Sequence, residues 1–206
     1  MPMRRALRRR ARPRRRAVAR YAVSRRITGN AQPVFTETYK YDTITAGTGG
    51  VFQTAFNQIP EYASYGALYR AYRILKFEVI ILPNHNTSQL GLGASVGLGH
   101  LVYKVNDMPS VAVPASENDL LTDNGCKIKN LTVKTVLKSN NPMPNLSVNS
   151  STTGTYVTTS KSMFLETSAY SIIHNGISWW YSNNGSGANQ TAEVYIKVTF
   201  KLRDPK

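Results

Sequence analysis

The sequence predicts an all-β domain of about eight antiparallel strands behind an Arg-rich N-terminal arm that is disordered on its own. Three observations predict it. From Pro33 onward the chain is rich in Thr, Val, Ile, Tyr, Asn and Gly, the residues of strands and turns. In that part, apolar residues recur at every second position over long stretches. The charge is also partitioned: of a net +15, the first 26 residues carry twelve arginines and no acid, which leaves 14 − 11 = +3 for the other 180.

The arm, residues 1–26, contains Arg4, Arg5, Arg8, Arg9, Arg10, Arg12, Arg14, Arg15, Arg16, Arg20, Arg25 and Arg26. It offers too little apolar surface to offset its chain entropy, so it is expected to order only on a polyanion. Guanidinium groups fork onto phosphate oxygens and stay charged at any physiological pH, which points to nucleic acid. No zinc-finger, helix-turn-helix or RNP-type pattern accompanies them, so the contact is expected to be steeply salt-dependent and nearly blind to sequence. Basic clusters of this length also serve as nuclear-import signals, and one tail can do both. A secretory signal is not expected because the start lacks an apolar stretch. Pro13 and the scarcity of serine argue against an organelle presequence.

Residues 27–206 are expected to form one domain, since a chain of that length buries roughly 70% of the surface it exposes when unfolded. Its first strand candidate is Val34–Thr45. Pro60–Arg70 is the helix candidate, with Pro60 at its first position. Tyr62, Tyr65 and Tyr69 recur there at helical spacing, a pattern that suits packing better than a platform for bases. Tyr72–Leu82 follows, with Leu75, Phe77, Val79 and Ile81 on one face, and Pro83 is expected to begin a loop. Leu98–Val105, Asn130–Lys138, Tyr156–Ser160, Met163–Thr167 and Tyr170–Tyr181 are the next candidates. In Asn130–Lys138 the alternation places Leu131, Val133 and Leu137 inward and leaves Val136 unexplained. Trp179 and Trp180 are adjacent on a strand and so face opposite ways: one into the core, the other beneath a loop or, as the sharper expectation, a subunit contact. Thr191–Arg203 alternates most regularly, Val194, Ile196, Val198, Phe200 and Leu202 against polar neighbours. The longest apolar run, around Val79–Leu82, falls far short of the ~20 residues a membrane helix needs.

No catalytic constellation stands out, and no cofactor or metal is expected. His85, His100 and His174 are scattered without ligand spacing. Cys126 is the single cysteine, so no internal disulfide forms; Lys127 beside it could lower its pKa, but no histidine lies near in sequence to activate it. Gly91–Gly99 has the wrong spacing for a dinucleotide loop. Glu117, Asp119 and Asp123 do not match a calcium loop and read as a capped turn. The sequons at Asn86, Asn130, Asn145, Asn149, Asn184 and Asn189 read as Asn/Ser/Thr-rich loops.

The RRRARPRRR arm, the segment YRILKFEVIILP at Tyr72–Pro83 and the terminal AEVYIKVTFKLRDP together resemble the capsid proteins of circovirus-like, Rep-encoding single-stranded DNA viruses. Tyr72, Arg73 and Ile74 are the most family-like piece. The resemblance implies a single eight-stranded antiparallel jelly roll whose copies, about 60 in the smallest (T=1) icosahedral shell, close around a circular single-stranded DNA genome with the arm inward. It further implies location in the virion and host nucleus, a nuclear-import receptor, and a host attachment receptor contacted through loops such as 84–97, 140–154 and 183–189. Shell proteins of small satellite RNA viruses share the layout, and physics alone does not choose DNA over RNA. From other classes, a cellular nucleic-acid chaperone stays open, although such domains are usually basic throughout. A carbohydrate-binding sandwich also stays open on the strength of Trp179 and Trp180.

Overall fold

The computed structural model describes residues 32–84, 99–106, 112–145, 163–182 and 190–206 in full and the backbone alone of 147–150 and 154–157. The arm, His85, Asn86, residues 91–98, Asn184 and Asn189 lie outside the described residues.

Two antiparallel sheets face each other. The first joins β1 (Val34–Thr45), β12 (Thr191–Pro205), β3 (Tyr69–Pro83) and β6 (Thr135–Asn140) in that spatial order, with the short β10 (Leu165–Glu166) beside the start of β3. The second joins β2 (Thr48–Ala55), β11 (Ile173–Ser182), β4 (His100–Val105) and β5 (Lys127–Asn130), with β7 (Met143–Pro144) beside β11. A separate hairpin pairs β8 (Ser147–Ser150) with β9 (Gly154–Val157). The eight principal strands shuttle between the sheets as a jelly roll does. Two short helices, α1 (Tyr62–Leu68) and α2 (Glu117–Leu121), lie in the connections.

Alternation explains the pairing. Along β12, Val194, Ile196, Val198, Phe200 and Leu202 are all 0% exposed, and the neighbours between them face outward. Across the gap they meet Phe52, Leu101, Ile177 and Trp179. Phe56 stacks on Tyr72 with centroids 4.2 Å apart, and Phe52 stacks on Trp179 at 5.1 Å. Burying each such side chain contributes about 1.5–3 kcal/mol, which makes this inter-sheet layer the main source of stability.

Several expectations change. The candidate Asn130–Lys138 is two strands in different sheets, β5 ending at Asn130 and β6 beginning at Thr135. Leu131 is buried at the crossing while Val133 is 67% exposed. Val136 lies on the outer face of β6, opposite Ile80. Pro83 does not begin a loop but closes β3, paired with Ala192. The helix is shorter than expected, starting after Glu61 so that Pro60 lies outside it. Tyr62, Tyr65 and Tyr69 pack against the core as expected, and Tyr65 Oη donates to Glu37 at 2.9 Å.

β2 is not foreseen by the alternation rule, because Gly49 and Gly50 break its pattern. Their lack of a side chain is what the indoles need: a Cβ on Gly49 would overlap Trp180 and one on Gly50 would crowd Trp179. Trp179 is in the core, and Trp180, next along β11, is half-buried with its ring beside Gly49. Gly176 is the extra residue of a bulge in β11, and a Cβ there would overlap the ring of Phe77. Gly176→Ala should therefore cost about 2 kcal/mol by overpacking, read as a lowered urea midpoint. An unchanged midpoint would show that Phe77 has room to move.

Candidate functional surfaces

Every arginine singled out in the arm, Arg4 through Arg26, falls outside the described residues, so the sites within the domain must be sought on its own surfaces. Most of the domain's excess positive charge is on one of them, the outer face of the first sheet. Because the core takes alternate residues of β12, the others point away from it, and the strand register extends each across the sheet. Lys40, Tyr195, Ile80 and Val136 form one row; Thr38, Lys197, Glu78 and Lys138 the next; then Thr36, Thr199, Lys76 and Asn140; then Val34, Lys201 and Arg73.

Six cations (Lys40, Arg73, Lys76, Lys138, Lys197, Lys201) thus share a face with two carboxylates, Glu78 and Glu193. Lys40 Nζ lies 2.9 Å from Glu193 Oε1. That bond holds the Glu193 carboxyl below its usual range and raises the Lys40 ammonium. Tyr195 Oη also donates to Glu193, at 3.0 Å, which raises the phenol's pKa. Glu78 sits between two ammonium groups, 3.7 Å from Lys76 and 3.6 Å from Lys138, which are 44% and 63% exposed. The face keeps a formal +6 − 2 = +4. Sequence reading shows these lysines as wet positions on single strands; only the strand order shows that they converge.

A second cluster lies at the end of the other sheet. Glu117 takes a hydrogen bond from Ser182 on one oxygen and lies 2.7 Å from His100 Nε2 on the other; chiefly the serine bond, and then the histidine, hold its pKa down. Asp119 Oδ2 accepts the backbone N–H groups of Ala115 and Ser116, at 2.8 and 2.9 Å, so the expected capped turn is the start of α2. Asp123 pairs with Lys104 at 2.9 Å. These acids serve three different partners. Burial, with Asp123 and Glu117 adding to it, raises the Cys126 thiol, the opposite of the lowering that Lys127 suggested. His174 is a core residue, with Nδ1 3.2 Å from the Ile172 carbonyl, and burial pushes its pKa down to about 4.

Two sheets wound as a jelly roll are an architecture that viral shell proteins commonly use. The family model for the circovirus capsid protein matches residues 2–205, and the chain belongs to that family. It is a capsid protein, a structural component of the virion. The BFDV capsid protein in its 60-mer form superposes with a TM-score of 0.58 at 13% identity, over 85% of this chain and 95% of that one. The decameric BFDV form gives 0.54 at 12%, over 84% and 100%. A chain of Mud crab tombus-like virus gives 0.51 at 11%, over 99% and 95%. At these identities the likeness is one of fold. No curated protein matches the sequence.

Proposed function

We propose that copies of this chain self-assemble into a closed icosahedral shell of about 60 subunits that packages a circular single-stranded DNA genome through residues 1–26, with residues 27–206 forming the shell. The observation that carries this reading is the pairing of a capsid-family match over residues 2–205 with twelve arginines in the first 26 positions. The BFDV relative of this fold forms a 60-mer, which supports the copy number. About 60 arms of twelve arginines bring about 720 positive charges to the genome, a number suited to neutralising phosphates by counterion release. The same basic run serves as a nuclear-import signal, recognised by an import receptor and directing the protein to the host nucleus, and loops of the domain contact the host attachment receptor.

Negative-stain microscopy of the purified protein, with the absorbance ratio at 260 and 280 nm, tests the reading. Uniform closed particles carrying nucleic acid are the expected result. Monomers under every assembly condition that still bind nucleic acid would make the chain a chaperone-like binder instead.

A further inference from the structure

We infer that the outer face of the β1–β12–β3–β6 sheet is a second single-stranded nucleic-acid surface, separate from the arm, on which Lys76, Lys138, Lys197 and Lys201 hold phosphates and Tyr195 stacks a base. The inference rests on the packaging reading and adds a contact site within the folded domain. Its basis is where the charge lies. Outside the arm the chain carries a formal +3, and this one face carries +4, so all the remaining residues from 27 onward sum to 3 − 4 = −1. Further along β12 Arg203 is paired with Asp204 at 3.0 Å and adds nothing to the balance.

The arrangement suits a single strand. Same-face positions along one β-strand, such as Lys197, Thr199 and Lys201 on β12, step by about 7 Å. Adjacent strands add rows about 4.8 Å away, so an extended chain of phosphates meets an ammonium or hydroxyl at each step. Lys138 is 63% exposed and Lys76 44%, with stems long enough to follow a mobile backbone. Glu78 is shared between those two lysines at 3.6–3.7 Å, so one carboxylate offsets only half of their charge. Tyr195 is the one aromatic in the four rows. Its ring is flanked in register by Lys40 and Ile80, and its hydroxyl donates to Glu193. A half-exposed ring amid cations is the pairing that binds unpaired bases without reading sequence. A duplex, its bases already stacked, would leave Tyr195 without a partner.

The test uses the full chain and an oligothymidylate, with binding measured across a salt series. The triple variant K76Q/K138Q/K197Q should bind about tenfold more weakly at moderate salt, and its slope of log affinity against log salt should fall by about 2, from ~0.7 for each phosphate no longer neutralised. Tyr195→Ala should bind the oligothymidylate about tenfold more weakly but an abasic oligomer of equal length unchanged, and Tyr195→Phe should bind both like the parent. All substituted side chains lie on the outer face, and matching thermal midpoints confirm folding. Triple-variant affinity and slope equal to the parent would overturn the inference and leave packaging by the arm intact. A loss of Tyr195→Ala binding that is equal for the abasic oligomer would overturn the stacking role. No binding by the parent chain would overturn the packaging reading itself.

Discussion

Removing residues 1–26 should give shells almost empty of nucleic acid, with an absorbance ratio near that of pure protein. The arm contributes twelve of the sixteen net positive charges assigned to nucleic acid, the outer sheet face the other four, so retained nucleic acid should fall to about a quarter or less of the full-length content. For oligonucleotide binding in solution the same deletion should lower the salt slope by about 8, at ~0.7 for each phosphate released. Assembly itself should survive, because the buried core residues among those described run from Ile44 to Leu202, all beyond the arm. Charge-preserving replacement of the twelve arginines by lysine separates charge from geometry: packaging should largely persist, since counterion release depends on charge, while bidentate phosphate binding disappears. Normal nucleic-acid content in shells of the deleted chain would remove the arm from the packaging reading.

How much of this is legible in the sequence depends on the range of the signal. Alternation is local, and β1, β3 and β12 can be read because their inward residues, half-buried on β1 and buried on much of β3 and on β12, recur at every second position over long stretches. The same local rule joins β5 to β6, since Leu131, Thr135 and Leu137 are all buried although the chain has left one sheet for the other between Asn130 and Thr135. Periodicity records which side of the backbone is dry and not which sheet supplies the dryness. β2 escapes for the opposite reason: Gly49 and Gly50 look like turn residues, and only the indoles of Trp179 and Trp180, far along the chain, explain them. The cationic face needs more still. Lys76, Lys138 and Lys197 each sit at a solvent position of its own strand, but that β6, β3 and β12 are successive neighbours is a property of the topology. The arm, by contrast, is legible at once, because twelve arginines in 26 residues need no fold to be interpreted.

His174 should make the protein progressively less stable between pH 6.5 and about 4.5. Its side chain is 3% exposed, beside Tyr72 at 6.2 Å between ring centroids, and desolvation lowers its pKa from 6.5 to about 4 despite backbone hydrogen bonds to Ile172 and Thr54 that favour the proton. In the unfolded chain the imidazole takes a proton near pH 6.5; in the fold it stays neutral until about pH 4. Between those values the unfolded state binds more protons, so stability rises with pH: it is fully present above pH 6.5 and is lost as pH falls toward 4. The size is about 3 kcal/mol per subunit, from roughly 1.36 kcal/mol for each pH unit that separates the two values. Depressed carboxyl groups also destabilise on acidification. Those of Glu117, Asp119 and Glu193 start from an ordinary value of 4.5 or 3.8 and act below it, which leaves the window above pH 4.5 to the histidine. Urea unfolding at fixed protein concentration, compared for the parent and His174→Gln, reads the effect. Glutamine does not titrate, so the parent's advantage over the variant should shrink by most of that ~3 kcal/mol between about pH 7 and 4.5. Parallel profiles for the two proteins would show that the imidazole is reached by water in the native state and that its burial has no part in the acid response.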